Sequence, residues 1–293
     1  MTDMTLRVRV PAAVDRVHHA LTDAGELRGW LAEHAEVALP DTYSFWGKTT
    51  PGGEHPAQRP LHANATSLRF EWTLEGVAST VDFTLEAETP DSTILTLTQS
   101  DMPTWDEMMA EKGPRSALQS FWALAVANLV DHIDGRDLTP MCDFTDPEMR
   151  AVFTIDAEPA RVFHALIDAP TFTRWFGANV EVEPYVGGRF AMGSLDTEEN
   201  PAKIVDLAED RRLSMEWPGT AVATWELEGT EGKTRITFTQ TGFDPTYPPY
   251  GSWMGWLSGF AELRRFLELA DWRAMCLSFD LPGMPEGILA IGD

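Results

Sequence analysis

The chain has 293 residues, 43% hydrophobic and 23% charged, which is the balance of a folded globular protein. At ~100–200 residues per domain, this length predicts two domains. A net charge of −24 repels phosphate backbones and anionic membranes, which argues against nucleic acid as a partner. The first ten residues carry no apolar signal region, and no apolar run approaches ~18 residues, so we expect a cytoplasmic protein without membrane insertion.

The first half of the chain alternates short strand patterns with two helical patterns. Its predicted elements are a strand over Thr5–Val10, a helix over Val14–Thr22, a turn at Leu27–Leu31, strands up to Gln99, and a long helix over Ser116–Ile133. Gly47–Pro60 is rich in Pro and Gly and predicts a loop between strands.

The second half repeats this order more clearly. Its predicted elements are a strand over Ala151–Asp156, a helix through Val162 to Ile167, a turn at Phe172–Phe176, strands over Asn179–Glu183, Arg189–Ser194, Lys203–Leu207, Arg212–Trp217, Val222–Glu228 and Thr234–Gln240, and a long helix over Ser252–Leu269. Acidic or Gly-rich turns separate several strands, which is typical of successive hairpins.

The two halves align as copies of one another. Leu6–Val37 lies on Ala151–Val182 without a gap, and this places Trp30 on Trp175. Further along, Trp122 lies on Trp256, and Met141-Cys142 lies on Met275-Cys276. A repeat this long indicates a duplicated domain rather than a solenoid.

The duplication and a Pro/Gly-containing connector set the predicted domain limits. We expect a first domain over residues 1–138, a linker over 139–148, and a second domain with a C-terminal tail over 149–293. Helices gathered on one face of an antiparallel sheet define an α+β fold. A curved sheet closing on one long helix tends to leave an apolar pocket between them.

Large apolar side chains predict the lining of such a pocket. In the second half the candidates are Trp175, Phe190, Met192, Met215, Trp217, Trp225, Phe238, Gln240, Trp253, Trp256 and Phe260. Their first-half equivalents are Trp30, Phe45, Phe70, Trp72 and Trp122. Core packing is the alternative for each ring taken alone. Gln240 shares a strand face with Phe238, so it is a candidate polar anchor for a ligand.

Other polar residues are weaker candidates for chemistry. His19 and His164 occupy equivalent helix positions that should be solvated, and Asp23 and Asp168 should make local turn hydrogen bonds. Glu216 faces outward if Trp217 faces inward; the opposite parity would make Glu216 a buried candidate base. We expect no metal site, no cofactor and no catalytic residue, because neither ligand spacing nor a nucleophile motif is present.

The two cysteines, Cys142 and Cys276, cannot form a disulfide framework. Two unpaired thiols fit a reducing compartment. The favoured interpretation is that both cysteines are small buried hydrophobic side chains, and the alternative is that they form a redox pair.

Three motifs of the second half resemble a known family. They are Arg161-Val162-Phe163-x-Ala165-Leu166-x-Asp168, Arg174-Trp175-Phe176-Gly177 and Val186-Gly187-Gly188-Arg189-Phe190. In this order they are similar to the SRPBCC superfamily, in the branch named after the heat-shock-protein-90 ATPase activator. In the first half Trp30 is kept, but Ala32 replaces Gly177.

The resemblance implies a helix-grip fold with a hydrophobic cavity between the sheet and the C-terminal helix. It implies binding of a small hydrophobic or amphipathic ligand, without catalysis, as the first hypothesis. A protein-interaction module of the chaperone-activator kind is the second. A cyclase- or hydrolase-like enzyme with an inward polar residue is the third.

Overall fold

The computed structural model describes residues 3–110, 113–218, 221–280 and 283, and the chain forms two compact units. The first unit comprises residues 1–147, 249–258 and 275–284, and the second comprises 148–248, 259–274 and 285–293. Each unit contains an antiparallel sheet and long-helix residues that pack on it, so the chain is a tandem pair of α+β helix-grip domains.

The elements of the first repeat follow the predicted order. They are β1 Met4–Val10, α1 Val14–Thr22, α2 Ala24–Trp30, β2 His34–Ala38, β3 Thr42–Trp46, β4 Gln58–Asn64, β5 Ser67–Leu74, β6 Val77–Thr89, β7 Ser92–Gln99, α3 Trp105–Met109, a 3-10 turn Pro114–Ala117 and α4 Leu118–Ile133. The predicted loop is shorter than expected, because β4 begins at Gln58 and includes Pro60. Pro60 is tolerated because β4 is the last strand of its sheet and the register shifts there.

The elements of the second repeat follow the prediction as far as α7, and β15 after it was not predicted. They are β8 Met149–Ile155, α5 Pro159–Ile167, α6 Ala169–Phe176, β9 Val180–Val182, β10 Arg189–Met192, β11 Ala202–Ala208, β12 Arg212–Glu216, β13 Val222–Thr230, β14 Lys233–Thr241, α7 Tyr250–Glu268 and β15 Cys276–Asp280. The seven-stranded sheet has the order β8-β14-β13-β12-β11-β10-β9.

The C-terminal tail differs from its predicted assignment to the second domain. Strand β15 pairs antiparallel with β1, and the six-stranded sheet of the first unit has the order β15-β1-β7-β6-β5-β4. The sequence expectation kept the tail with the helix before it. Pairing with β1 supplies partners for backbone groups that would otherwise lie at a sheet edge.

The duplication is visible in matching ladder registers. Met4 pairs with Gln99 in the first unit, and Met149 pairs with Gln240 in the second. At the other end of each ladder a buried threonine hydroxyl donates to an alanine carbonyl. Thr93 donates to Ala12 at 2.7 Å, and Thr234 donates to Ala157 at 2.6 Å.

The glycines of the family-like motifs have backbone roles. Gly177 ends α6 at φ 71°, and Gly187 has φ 91°, both in the left-handed region that favours glycine. A Cβ on Gly188 would lie 2.1 Å from the carbonyl oxygen of Glu183, so no side chain fits at that position. These positions shape the turns that precede β9 and β10.

Candidate functional site

The equivalent tryptophans Trp30 and Trp175 anchor the second short helix of each repeat. The indole Nε1 of Trp30 donates to the Ala20 carbonyl at 3.0 Å, and that of Trp175 donates to the Ala165 carbonyl at 2.8 Å. Both rings are buried. Each therefore holds α2 or α6 against the helix before it.

The remaining predicted first-half residues pack against one another. Ring centroids lie 5.3 Å apart for Phe45 and Trp72, 5.7 Å apart for Trp72 and Trp122, and 5.9 Å apart for Phe45 and Phe70. All four rings are buried. Three further buried rings, Tyr43, Phe83 and Phe121, contact this group. Seven rings in mutual contact occupy the interior of the first unit.

Gln99 is the polar centre of this first-unit core. Its Oε1 accepts from the Trp122 indole at 2.6 Å, and its Nε2 donates to the Ser79 hydroxyl at 2.8 Å. Ser79 in turn donates to the Trp72 carbonyl at 3.2 Å. The buried amide thus has a partner on both of its polar atoms, as burial of a polar group requires.

The predicted second-half rings form two contacting groups. Phe238 lies 5.0 Å from both Trp225 and Phe260, measured between ring centroids. In the other group Phe190 lies 5.6 Å from Phe172 and 6.3 Å from Trp217. Phe190, Trp225, Phe238 and Phe260 are buried, whereas Trp217 is half-buried. Its equivalent Trp72 is fully buried, so the second unit is more open at this position.

Gln240 occupies the place of Gln99, but its surroundings differ. It is 5% exposed, and its Oε1 has no hydrogen-bond partner among the residues that the structure describes. We call this atom the Gln240 acceptor. The ladder places Ala223 opposite Gln240, where Val81 lies opposite Gln99.

The hydroxyl that serves Gln99 is also missing from its equivalent position. Ser79 pairs with Trp72, and in the second unit the Trp217 amide donates to the carbonyl of Ala221. Ala221 therefore stands in the place of Ser79. Ala221 and Ala223 are both smaller than their counterparts, so the second unit offers Gln240 less side-chain volume and no hydroxyl at these two positions.

The other predicted second-half residues have varied positions. Met215 is buried on β12, but Met192 is 42% exposed at the end of β10. Met192 thus does not share the buried environment of Phe190, because β10 ends there. Trp253 and Trp256 are buried, and they belong to the segment 249–258, which groups with the first unit.

The polar residues proposed for other roles lie at the surface. His19 and His164 are exposed, and Glu216 is exposed, as expected when its neighbour faces inward. Asp23 and Asp168 cap α2 and α6 by accepting from backbone amides, as predicted. The hydrogen bond from the Glu26 amide lowers the pKa of Asp23, and those from the Thr171 hydroxyl and then its amide lower the pKa of Asp168. Both acids are thus ionised structural caps.

The two cysteines lie in different surroundings. Cys142 is a buried free thiol whose pKa is raised, first by burial and then by Asp143, so it is not activated as a thiolate. Cys276 lies half-buried on β15. Within the described ranges, no group of three or more His, Cys, Asp or Glu side chains is placed to hold a metal ion. None of the described helices is long and apolar enough to cross a membrane.

Sequence reasoning missed two features of the second unit. Arg264 and Arg265 are buried on α7, although arginine is rarely buried. Their position inside an apolar helical pattern was a usable signal. The Ser79-to-Ala221 exchange was not visible in the ungapped alignment, because finding it required the pairing of β5 with β6 and of β12 with β13.

Comparisons with known proteins agree with the resemblance. Residues 156–268 match the family described as Activator of Hsp90 ATPase homolog 1-like protein, which covers most of the second repeat. This match confirms, for that repeat, the similarity that its motifs indicated. No curated protein sequence matches the chain.

Several solved structures are similar to this chain at low sequence identity. A conserved protein of unknown function from Enterococcus faecalis is 23% identical, over 43% of this chain and 74% of that chain, with a TM-score of 0.38. DynU16, from the dynemicin biosynthetic locus, is 17% identical over 91% of this chain and 99% of that one, with a TM-score of 0.38. The di-domain ARO/CYC BexL, from the BE-7585A biosynthetic pathway, is 14% identical over 93% and 100% of the two chains, with a TM-score of 0.37.

Proposed function

We propose that the second unit binds a small apolar or amphipathic molecule at a site centred on Gln240, without catalysing a reaction. The observation that carries this proposal is the Gln240 acceptor, a buried amide oxygen lacking a partner within the described part of the chain. A ligand that donates a hydrogen bond to this oxygen would complete the core in the way that Trp122 completes it in the first unit.

The two glutamines differ in the energetic cost of burying their side-chain amides. A buried polar atom without a hydrogen bond costs about 1–3 kcal/mol. Gln99 shows that the same fold satisfies a glutamine at this ladder position with its own side chains. The second unit keeps the glutamine but has alanine at the positions of Ser79 and Val81, an arrangement that supports a binding role better than a packing role.

The proposed lining comes from residues of the second unit that surround this end of the sheet. It consists of Met215, Trp217, Ala221, Ala223, Trp225, Phe238 and Phe260. Because these side chains are apolar apart from the indole N–H groups of Trp217 and Trp225, the ligand is expected to have an apolar body. The first unit serves as a scaffold in this proposal, because its equivalent side chains fill its own interior.

A native mass spectrum of gently purified protein tests this function. We expect one small molecule to co-purify, or the melting temperature to rise with a member of a lipid and polyketide panel. The variant Q240M should reduce either effect. Absence of both a co-purified molecule and any thermal shift across the panel would overturn the proposal.

The match of residues 156–268 to the activator family favours a second candidate, binding to a chaperone ATPase. In that case the full chain should stimulate ATP hydrolysis by an Hsp90-type chaperone, and it should be retained in a pull-down with that chaperone. Unchanged ATPase activity together with no retention would remove this candidate. Q240M should leave this activity intact, which separates the two functions.

A further inference from the structure

We infer that the ligand presents a neutral hydroxyl group, attached to a flat apolar ring, to the Gln240 amide. This inference rests on the proposed binding function and narrows it to a chemical class. An amide side chain offers one acceptor oxygen and two N–H donors. A hydroxyl both donates and accepts, so it satisfies either orientation of the amide.

A carboxylate ligand fits this site poorly. At neutral pH a carboxylate only accepts hydrogen bonds, so it would leave the Gln240 acceptor unpaired and would itself be desolvated. The chain also carries a net charge of −24, whose overall field disfavours the approach of an anion. The site therefore selects alcohols and phenols over fatty acids and other carboxylates.

The first unit shows the hydrogen bonds that such a hydroxyl would replace. There the Trp122 N–H donates to the amide oxygen of Gln99, and the Ser79 oxygen accepts from its nitrogen. In the second unit the place of Ser79 is held by Ala221. One ligand hydroxyl would supply the donor that the oxygen requires, in the role that the Trp122 N–H has towards Gln99.

The flat ring follows from the neighbours of Gln240 on the same sheet face. Phe238 lies two residues earlier on β14, and side chains two residues apart share a face. Trp225 pairs with Phe238 in the ladder, and their ring centroids are 5.0 Å apart. An aromatic ring next to the hydroxyl would join these rings at offset or edge-to-face contact distances.

Titration of the full chain with three matched probes tests the inference. The probes are naphthol, methoxynaphthalene, which accepts but does not donate, and naphthoate, which is anionic. We expect naphthol to bind at least about tenfold more tightly than either analogue, because one hydrogen bond of about 1.4 kcal/mol separates them. Q240M should remove the preference for naphthol over methoxynaphthalene, because methionine offers no amide oxygen to accept the hydroxyl proton. The apolar contacts should let Q240M retain similar weak affinity for naphthol and methoxynaphthalene, while the charge of naphthoate continues to disfavour its binding.

The outcomes separate the inference from the function on which it rests. Equal affinities for the three probes, tighter binding of naphthoate, or an unchanged preference in Q240M would overturn the inference while small-molecule binding stands. Failure of all three probes to bind a protein that carries a co-purified molecule would also overturn the inference alone. Failure of the probes with no co-purified molecule and no thermal shift across the panel would overturn both.

Discussion

The two equivalent glutamines, Gln99 and Gln240, allow a comparison at the scale of single residues. Each pairs with a methionine in its ladder, and Trp122 and Ser79 satisfy the Gln99 amide, whereas the Gln240 acceptor has no partner among the described residues. An apolar replacement should therefore change the free energy of unfolding in opposite directions at the two positions. At Gln99 it removes two hydrogen bonds, whereas at Gln240 it removes a buried acceptor that has no partner among the described residues.

We expect Q99M to lower the free energy of unfolding by about 2 kcal/mol, since it leaves the Trp122 N–H buried without its acceptor. We expect Q240M to raise the free energy of unfolding of the ligand-free protein by about 1 kcal/mol. Urea denaturation of both variants checks this pair. Equal destabilisation by the two variants would contradict the account, because it would mean that Gln240 is satisfied as Gln99 is.

The tryptophan anchors give a second prediction at the same scale. W30F and W175F each remove one buried indole-to-carbonyl hydrogen bond and some ring volume, so each should cost about 2 kcal/mol of stability. W46F is the control, because Trp46 is half-buried on β3. Thermal melts should show similar losses for the first two variants and a small one for W46F. A loss confined to one anchor would contradict their equivalence.

The Glu183–Arg189 ion pair predicts a pH dependence. Hydrogen bonds from Arg189 lower the pKa of Glu183 from 4.5 to about 2. Because the folded-state pKa is lowered, the stabilisation is present above pH 4.5 and is lost as the pH falls towards 2. E183Q should therefore reduce the melting temperature slightly at pH 7 and leave it unchanged near pH 2. A difference that persists at pH 2 would show that the ion pair is not its source.

Strand β15 matters at the scale of elements, because it covers the edge strand β1. The double variant L277P/S278P removes the backbone N–H groups of two successive residues, which point to opposite sides of the strand. It should therefore release β15 from the ladder. Hydrogen exchange of β1 amides should then become faster, while exchange in the equivalent strand β8 stays unchanged. Unchanged protection of β1 would contradict the pairing.

The sequence predicted most elements because their signals are local. Period-two alternation placed β11 to β14 within two residues of their observed ends, and the helix pattern placed Val14–Thr22 with its observed limits. It did not predict β15, because pairing between Cys276–Asp280 and the start of the chain is a long-range contact. Met192 was grouped with buried Phe190, but its exposure depends on where β10 ends.

The candidate site was likewise predicted only where its signals are local in the sequence. Gln240 and the rings around it were identified from strand parity alone. The exchange of Ser79 for Ala221 was not identified, because the loop that follows Trp72 and the loop that follows Trp217 differ in length. Only the ladder registers align the residues after these loops. Composition does not reveal whether the side-chain amide of either glutamine is hydrogen-bonded.

At the scale of the whole molecule, the chain is a duplication whose copies have diverged in their interiors. The first interior is occupied by seven aromatic rings and a satisfied glutamine. The second keeps the same ladders, caps and tryptophan anchor but has smaller residues beside Gln240. Such divergence is consistent with one copy serving stability and the other binding a ligand, as we propose.

The central claim is that a ligand binds at Gln240 and not at Gln99, and the side-chain amide signals of the two glutamines test it most directly. The protein is labelled with nitrogen-15 glutamine, Q240M and Q99M assign the two signals, and naphthol is titrated. The account predicts that the Gln240 signal shifts saturably while the Gln99 signal stays in place. Equal shifts of both signals, or a shift of Gln99 alone, would contradict it.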